Sequence, residues 1–253
     1  SLVTIHGQTD TLALTDTEKQ LELLDLYAEN RDLLLEYSEK YKALTEVQRE
    51  IKELSDKGIP VLWRPFHEFD GNWFWWGTDD CSPAEYVNLW QMTHDYLTSR
   101  GLTNLQFCFS PGAWFSDEKD YMQRFPGKEY VDIIGIECYR QKEFDVDEAR
   151  KRFRVHMQAN LKIAKNIADE LGMPYAITET GMNPDTDSQW WTKGLMPALE
   201  GYNPIFVNCW SNQWIEIPNS GACCTYPGEV SAKDFRKFYK KNKKMFIKKL
   251  KNL

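Results

Sequence analysis

The 253-residue chain carries a net charge of −7, is 42% hydrophobic and 27% charged, and contains 10 Trp, 12 Tyr and 13 Phe. That balance fits a globular chain with a sizeable core and argues against a general nucleic-acid binder, which needs a basic surface. No run of 18 apolar residues occurs, so no helical membrane span is expected. Tryptophan in such number points to clefts lined by flat apolar faces.

In chain order, Leu2–Ile5 is the first of six short apolar runs and reads as a strand entered abruptly. There is no Met and no charged-then-apolar leader before it, so a signal peptide is expected to be absent or already removed. Residues 18–57 are rich in Leu, Glu, Lys and Ala, with no Gly or Pro before Gly58, and predict one or two long helices. Ile59–Trp63 is the second strand. Ser82 as N-cap with Pro83 in the first turn opens a helix to Arg100. Leu105–Phe109 and Val131–Ile136 are further strands. Val146–Leu171 predicts a helix closed by Gly172 as a C′ glycine. Tyr175–Thr178 and Ile205–Trp210 complete the strands, and residues 231–250 predict the last helix.

The runs are continuously apolar instead of alternating, as in parallel strands buried on both faces. Strand followed by helix, repeated, means α/β with a parallel sheet. No Gly-x-Gly-x-x-Gly follows a strand, which removes the usual dinucleotide-binding marker. Polar chemistry clusters just after strands, as at the C-terminal face of a (β/α)8 TIM-type barrel. Only six of eight strands are visible, so the expectation is one barrel domain over residues 1–253 that lacks its N-terminal part.

Cys108, Cys138 and Cys209 lie in strand runs and read as small hydrophobes. With Cys81, Cys223 and Cys224 they form no C-x-x-C pair, so a zinc ribbon is unsupported. The vicinal Cys223-Cys224 pair could bond to a partner the sequence does not identify. Ten Lys or Arg with one acid between Lys233 and Lys251 read as a solvated helix face.

The chemistry concentrates in two places. In Trp63-Arg-Pro-Phe-His-Glu-Phe-Asp-Gly-Asn-Trp-Phe-Trp-Trp-Gly77 a strand runs into Arg64-Pro65, followed by His67-Glu68 and the aromatics Trp73 to Trp76. A carboxyl against aromatic rings is partly desolvated, which favours its neutral form, as a general acid requires. Four consecutive aromatics cannot all point inward, so some should be exposed. His67-Glu68 lacks the second His of H-E-x-x-H, so a zinc protease is excluded. In Tyr175-Ala-Ile-Thr-Glu-Thr-Gly181, Glu179 ends a buried strand among polar residues, suited to an ionised nucleophile. Two such carboxyls about 5–5.5 Å apart would give retention at a sugar's anomeric carbon, and about 6.5–9.5 Å would give inversion.

The first run resembles the signature of family 26 glycoside hydrolases, mostly endo-β-1,4-mannanases. Ile177-Thr-Glu-Thr-Gly181 is similar to the family's nucleophile strand, and Ala232-Lys-Asp-Phe-Arg-Lys-Phe-Tyr239 to its last helix. The resemblance implies Glu68 as acid/base on barrel strand four and Glu179 as nucleophile on strand seven. It implies that Tyr139 hydrogen-bonds the nucleophile, that Arg64 fixes the carboxylates, and that His67 helps hold the sugar. Trp210 would form the floor of that subsite, Trp73 and Trp76 would meet the substrate beyond the acid, and His6 would end strand three. No metal or cofactor is implied. The partner would be a β-mannan polysaccharide, with β-1,3-xylan and mixed-linkage β-glucan as neighbouring substrates, handled by an extracellular or periplasmic monomer. The rival reading is a non-catalytic glycan binder or inactive barrel fragment. Glu137-Cys138 before Tyr139 departs from the family's usual acidic pattern, and Ser211 after Trp210 leaves the distal contacts open.

Overall fold

The computed structural model describes residues 30–141, 145–183, 187–210 and 223–246, together with positions 17, 21 and 28. The strand at Leu2–Ile5 and His6 lie outside the described residues, as does the end of the predicted last helix.

The chain divides into two compact units at Ile59 and Pro60. The first contains α1 (Arg31–Asp56). Its Glu, Lys and Leu content favours helix, and pairs four residues apart link Lys40 to Glu36 at 2.6 Å and Lys52 to Asp56 at 3.0 Å. Gly58, at φ +68°, supplies the left-handed exit that glycine tolerates best.

The second unit is built on five parallel strands that pair in sequence order: β1 (Val61–Trp63), β2 (Leu105–Phe109), β3 (Ile133–Gln141), β4 (Tyr175–Asn183) and β5 (Val207–Cys209). These are five of the six predicted strands. Ile134, Ile136, Ala176 and Ile177 are fully buried, as expected for a doubly covered sheet. Within the described sheet β1 and β5 are the outermost strands. Their residues are only half-buried or exposed, with Leu62 45% exposed, because each has a described strand on one side alone.

α2 (Pro83–Ser99) starts with the predicted Ser82 cap, reinforced by Glu85 reaching back to the Ser82 N–H at 2.9 Å in a capping box. It buries Tyr86, Trp90 and Leu97. α3 (Val146–Leu171) buries Ala149, Phe153, Met157, Leu161, Ala164 and Ala168, the three-and-four spacing of one helix face. It ends at Gly172 with φ +67°. The predicted last helix is shorter: α4 (Ala232–Lys241) stops at Asn242, followed by a 3₁₀ turn at Lys243–Met245. Most of its Lys and Arg side chains are exposed, while Phe238 packs with Trp191 and Phe246. Buried Asp234 accepts from the Thr192 N–H at 2.9 Å and hydroxyl at 2.7 Å, anchoring the helix to the π-helical turn at Trp190–Leu195.

Candidate active site

The site forms where β1 to β5 end. Directly after β1 the backbone takes two left-handed residues, Phe66 at φ +49° and Glu68 at φ +51°. Non-glycine residues rarely adopt this conformation, and it persists only where the surroundings fix it. Here the Glu68 N–H donates to the Ser110 carbonyl at 3.0 Å, and the buried Tyr86 hydroxyl donates to the Phe66 carbonyl at 2.9 Å. Gly71 permits the close return of the chain, since a Cβ there would lie 2.2 Å from the Trp73 ring.

Aromatic side chains then wall the turn. Trp73 is 50% and Trp75 61% exposed, while Phe74 and Trp76 are half-buried and stack at 4.4 Å, so the expected split between inward and outward rings is present. The Trp73 indole N–H donates to a Glu68 carboxylate oxygen at 2.9 Å. The Trp76 N–H donates to the His67 carbonyl at 2.8 Å, and the His67 ring packs on Phe74. Burial raises the Glu68 pKa above the ordinary glutamate value, opposed by the Trp73 bond and reinforced by the nearby Glu179 charge. His67 is held down to about 4 by burial and then by Arg64, so it is a neutral imidazole at physiological pH.

Facing these are β3 and β4. Their register runs Ile136 with Ile177, then Glu137 with Glu179, so Thr178 is an extra residue that bulges. Thr178 is held there, donating to the Ile136 carbonyl at 2.9 Å and contacting the Ser110 hydroxyl. The bulge sets Glu137 and Glu179 side by side. Arg64 spans them, donating through one terminal nitrogen to Glu137 and through the other to Glu179. The second Glu179 oxygen accepts from the Tyr139 hydroxyl. Burial, and then the hydrogen bond to Glu179, holds the Tyr139 pKa far above its ordinary value, so it remains a donor. Glu137 also accepts from Ser110 at 2.9 Å, and burial pushes its pKa up to about 10 despite Arg64. Two carboxyls share one guanidinium, and burial raises the pKa of the more buried one, Glu137.

His67, Glu137 and Glu179 place ligand atoms within 4.8 Å of one another. Arg64 already bonds to both of these carboxyls and supplies the counter-charge that a divalent ion would bring.

Glycosyl hydrolase family 26 matches residues 26–222 by its family model. The chain belongs to this family. Among similar proteins, a mannan endo-1,4-β-mannosidase of Bifidobacterium adolescentis is 27% identical, covering 84% of this chain and 22% of that protein. One of Bacillus subtilis is 28% identical, covering 72% of this chain and 48% of that protein. A solved family 26 β-mannanase from Bacteroides ovatus is 38% identical with a TM-score of 0.65, covering 72% of this chain and 50% of that one. The chain thus spans half or less of the length of these relatives. As a family 26 fold, the five strands form consecutive staves of an incomplete (β/α) barrel.

Of the residues singled out in the sequence, Arg64, His67, Glu68, Trp73, Tyr139 and Glu179 lie together at this candidate site, with Trp76 against His67. Half-buried Trp210 follows β5, its N–H donating to the Thr180 carbonyl at 3.0 Å. Sequence reasoning missed the place of Glu137 in the site and, beside it, Trp114 and Asp70. Trp114, 70% exposed, stands beside Trp73 with ring centroids 6.5 Å apart. Asp70 holds it there, accepting from the Gly112 N–H at 2.6 Å and the Trp114 N–H at 3.0 Å. The available signal was Ser110-Pro-Gly-Ala-Trp114, a turn with an exposed aromatic directly after a strand.

Proposed function

We propose that this chain is a retaining, endo-acting glycoside hydrolase of β-1,4-linked mannans. The observation that carries the reading is the unequal treatment of two carboxyls. Both oxygens of Glu179 accept from fixed donors, Arg64 and Tyr139. Glu68 instead is desolvated against aromatic rings, with its pKa raised. A carboxyl held by two fixed donors suits the nucleophile, and one desolvated against aromatic rings suits the acid.

Glu179 attacks the anomeric carbon from an orientation set by its two donors. Protonated Glu68 gives its proton to the glycosidic oxygen as that bond breaks. Glu68, now a carboxylate, takes a proton from the incoming water, which releases the sugar from Glu179 with its configuration retained. Neutral His67 can donate to or accept from a sugar hydroxyl without adding charge. Trp73 and Trp114 expose flat faces beyond the acid, suited to stacking on pyranose rings of the leaving side. The mannan preference rests on the named activity of the relatives. A polymeric substrate places the work outside the cytoplasm, and among the described residues no helix is long and apolar enough to cross a membrane.

Reducing-sugar release from β-1,4-mannan tests the reading, with Glu179→Ala as control and β-1,3-xylan and mixed-linkage β-glucan as alternatives. Release from mannan that the substitution abolishes supports it. Binding of mannan by a cooperatively folded chain with no release overturns it in favour of a glycan-binding protein.

A further inference from the structure

We propose that Cys209 and Cys224 are a disulfide-forming pair, which in an oxidising environment ties the end of β5 to the segment packed against β4. Two independent features of the backbone bring them together. Cys209 pairs in register with Thr180, and the next residue, Trp210, donates its N–H to the Thr180 carbonyl at 3.0 Å. The adjoining strand residue, Gly181, is the seat of Cys223: a Cβ at Gly181 would lie 2.6 Å from the Cys223 Cβ. Neighbouring residues of β4 therefore receive both cysteine segments.

The side chains then divide by role. Cys223 is 7% exposed and pressed on Gly181. Bonding it to its sequence neighbour would require it to leave that seat. Cys209 and Cys224 are half-buried, within reach of a small oxidant, and their thiols hydrogen-bond to each other. Cys108 and Cys138 are sealed in the core. The same hydrogen bond lowers the Cys224 pKa and raises that of Cys209, so Cys224 is the better nucleophile.

With a low-molecular-weight disulfide as oxidant, the Cys224 thiolate attacks one of its sulfurs. The first small thiolate leaves and a mixed disulfide forms on Cys224. The Cys209 sulfur then attacks Cys224 Sγ, giving up its proton, and the second small thiol leaves. Two protein thiols are oxidised and one small disulfide is reduced to two thiols. The bond joins the residue before Trp210 to the residue after Cys223, so it braces both the half-buried indole and the packing on β4 beside Glu179. The pairing does not depend on the hydrolase reading.

The test is incubation of the full chain with oxidised glutathione, followed by thiol counting after denaturation, peptide mapping by mass spectrometry and thermal melting. The expected result is a loss of two of the six thiols, a peptide pair linked through Cys209 and Cys224, and a Tm several degrees higher that dithiothreitol reverses. Cys209→Ser and Cys224→Ser should abolish the link and the shift, and Cys223→Ser should keep both. Six intact thiols, a Cys223–Cys224 link, an intermolecular link, or Cys224 stopped as a glutathione adduct would each overturn the proposal.

Discussion

Replacing Arg64 by Met separates the electrostatic account of the site from simple packing. Met keeps the aliphatic stem but removes the guanidinium that bonds Glu137 and Glu179. The side chains involved are sealed: 16% exposed for Arg64, 0% for Glu137 and 4% for Glu179. The variant leaves Glu137 and Glu179 buried without the guanidinium that bonds them both. Removing one partner of a buried pair destabilises by roughly 3–5 kcal/mol, and the Tyr139 bond that remains places the expected loss toward the lower figure. Urea denaturation of both proteins at about pH 7 measures this, and a loss below about 1 kcal/mol would refute the reasoning.

Other perturbations address the remaining parts. Glu137→Gln removes a carboxyl whose pKa is raised from 4.5 to about 10. A raised pKa contributes stability that is full below the unfolded value and lost as pH rises through the folded one. Chemical denaturation should therefore show the variant gaining on the wild type from pH 5 to 9, and a flat difference contradicts the assignment. Trp73→Phe keeps an aromatic face but deletes the 2.9 Å donor to Glu68. A net hydrogen bond of about 0.5–1.5 kcal/mol corresponds to an upward shift of the alkaline limb of kcat/KM by roughly 0.4–1 pH unit; a downward shift refutes the bond's role. Asp70→Ala frees the loop holding Trp114, so KM on long mannan oligosaccharides should rise several-fold with kcat less affected. Equal loss on an activated short glycoside would show instead that the turn at Glu68 had been disturbed.

Most of the architecture was legible because it depends on local patterns. Continuous apolar runs marked the five described strands, and Ser82, Pro83 and Gly172 marked helix ends that are present as expected. The length of α4 was not legible, since Lys and Phe continue past Asn242 without a Gly or Pro to mark the stop. Glu68 and Glu179 stood out by their neighbours. The role of Glu137 did not, because it depends on a bulge at Thr178 that shifts the register by one residue, and nothing in the Thr178 neighbourhood signals an irregular strand. The Asp70–Trp114 contact spans 44 positions, and the approach of Cys209 to Cys224 depends on how β5 and the chain beyond it return to β4. Such long-range contacts leave no periodic trace in a single sequence.

The central claim is that Glu179 forms a covalent bond to the sugar while Glu68 handles the proton. An activated 2-deoxy-2-fluoro-β-mannoside slows release of that intermediate, so the intact mass and the modified peptide can be read directly. The account predicts one sugar per chain, carried by the peptide at Glu179 and absent in Glu179→Gln. An adduct on Glu137, or turnover of β-mannan with inverted product and no adduct at all, would contradict it.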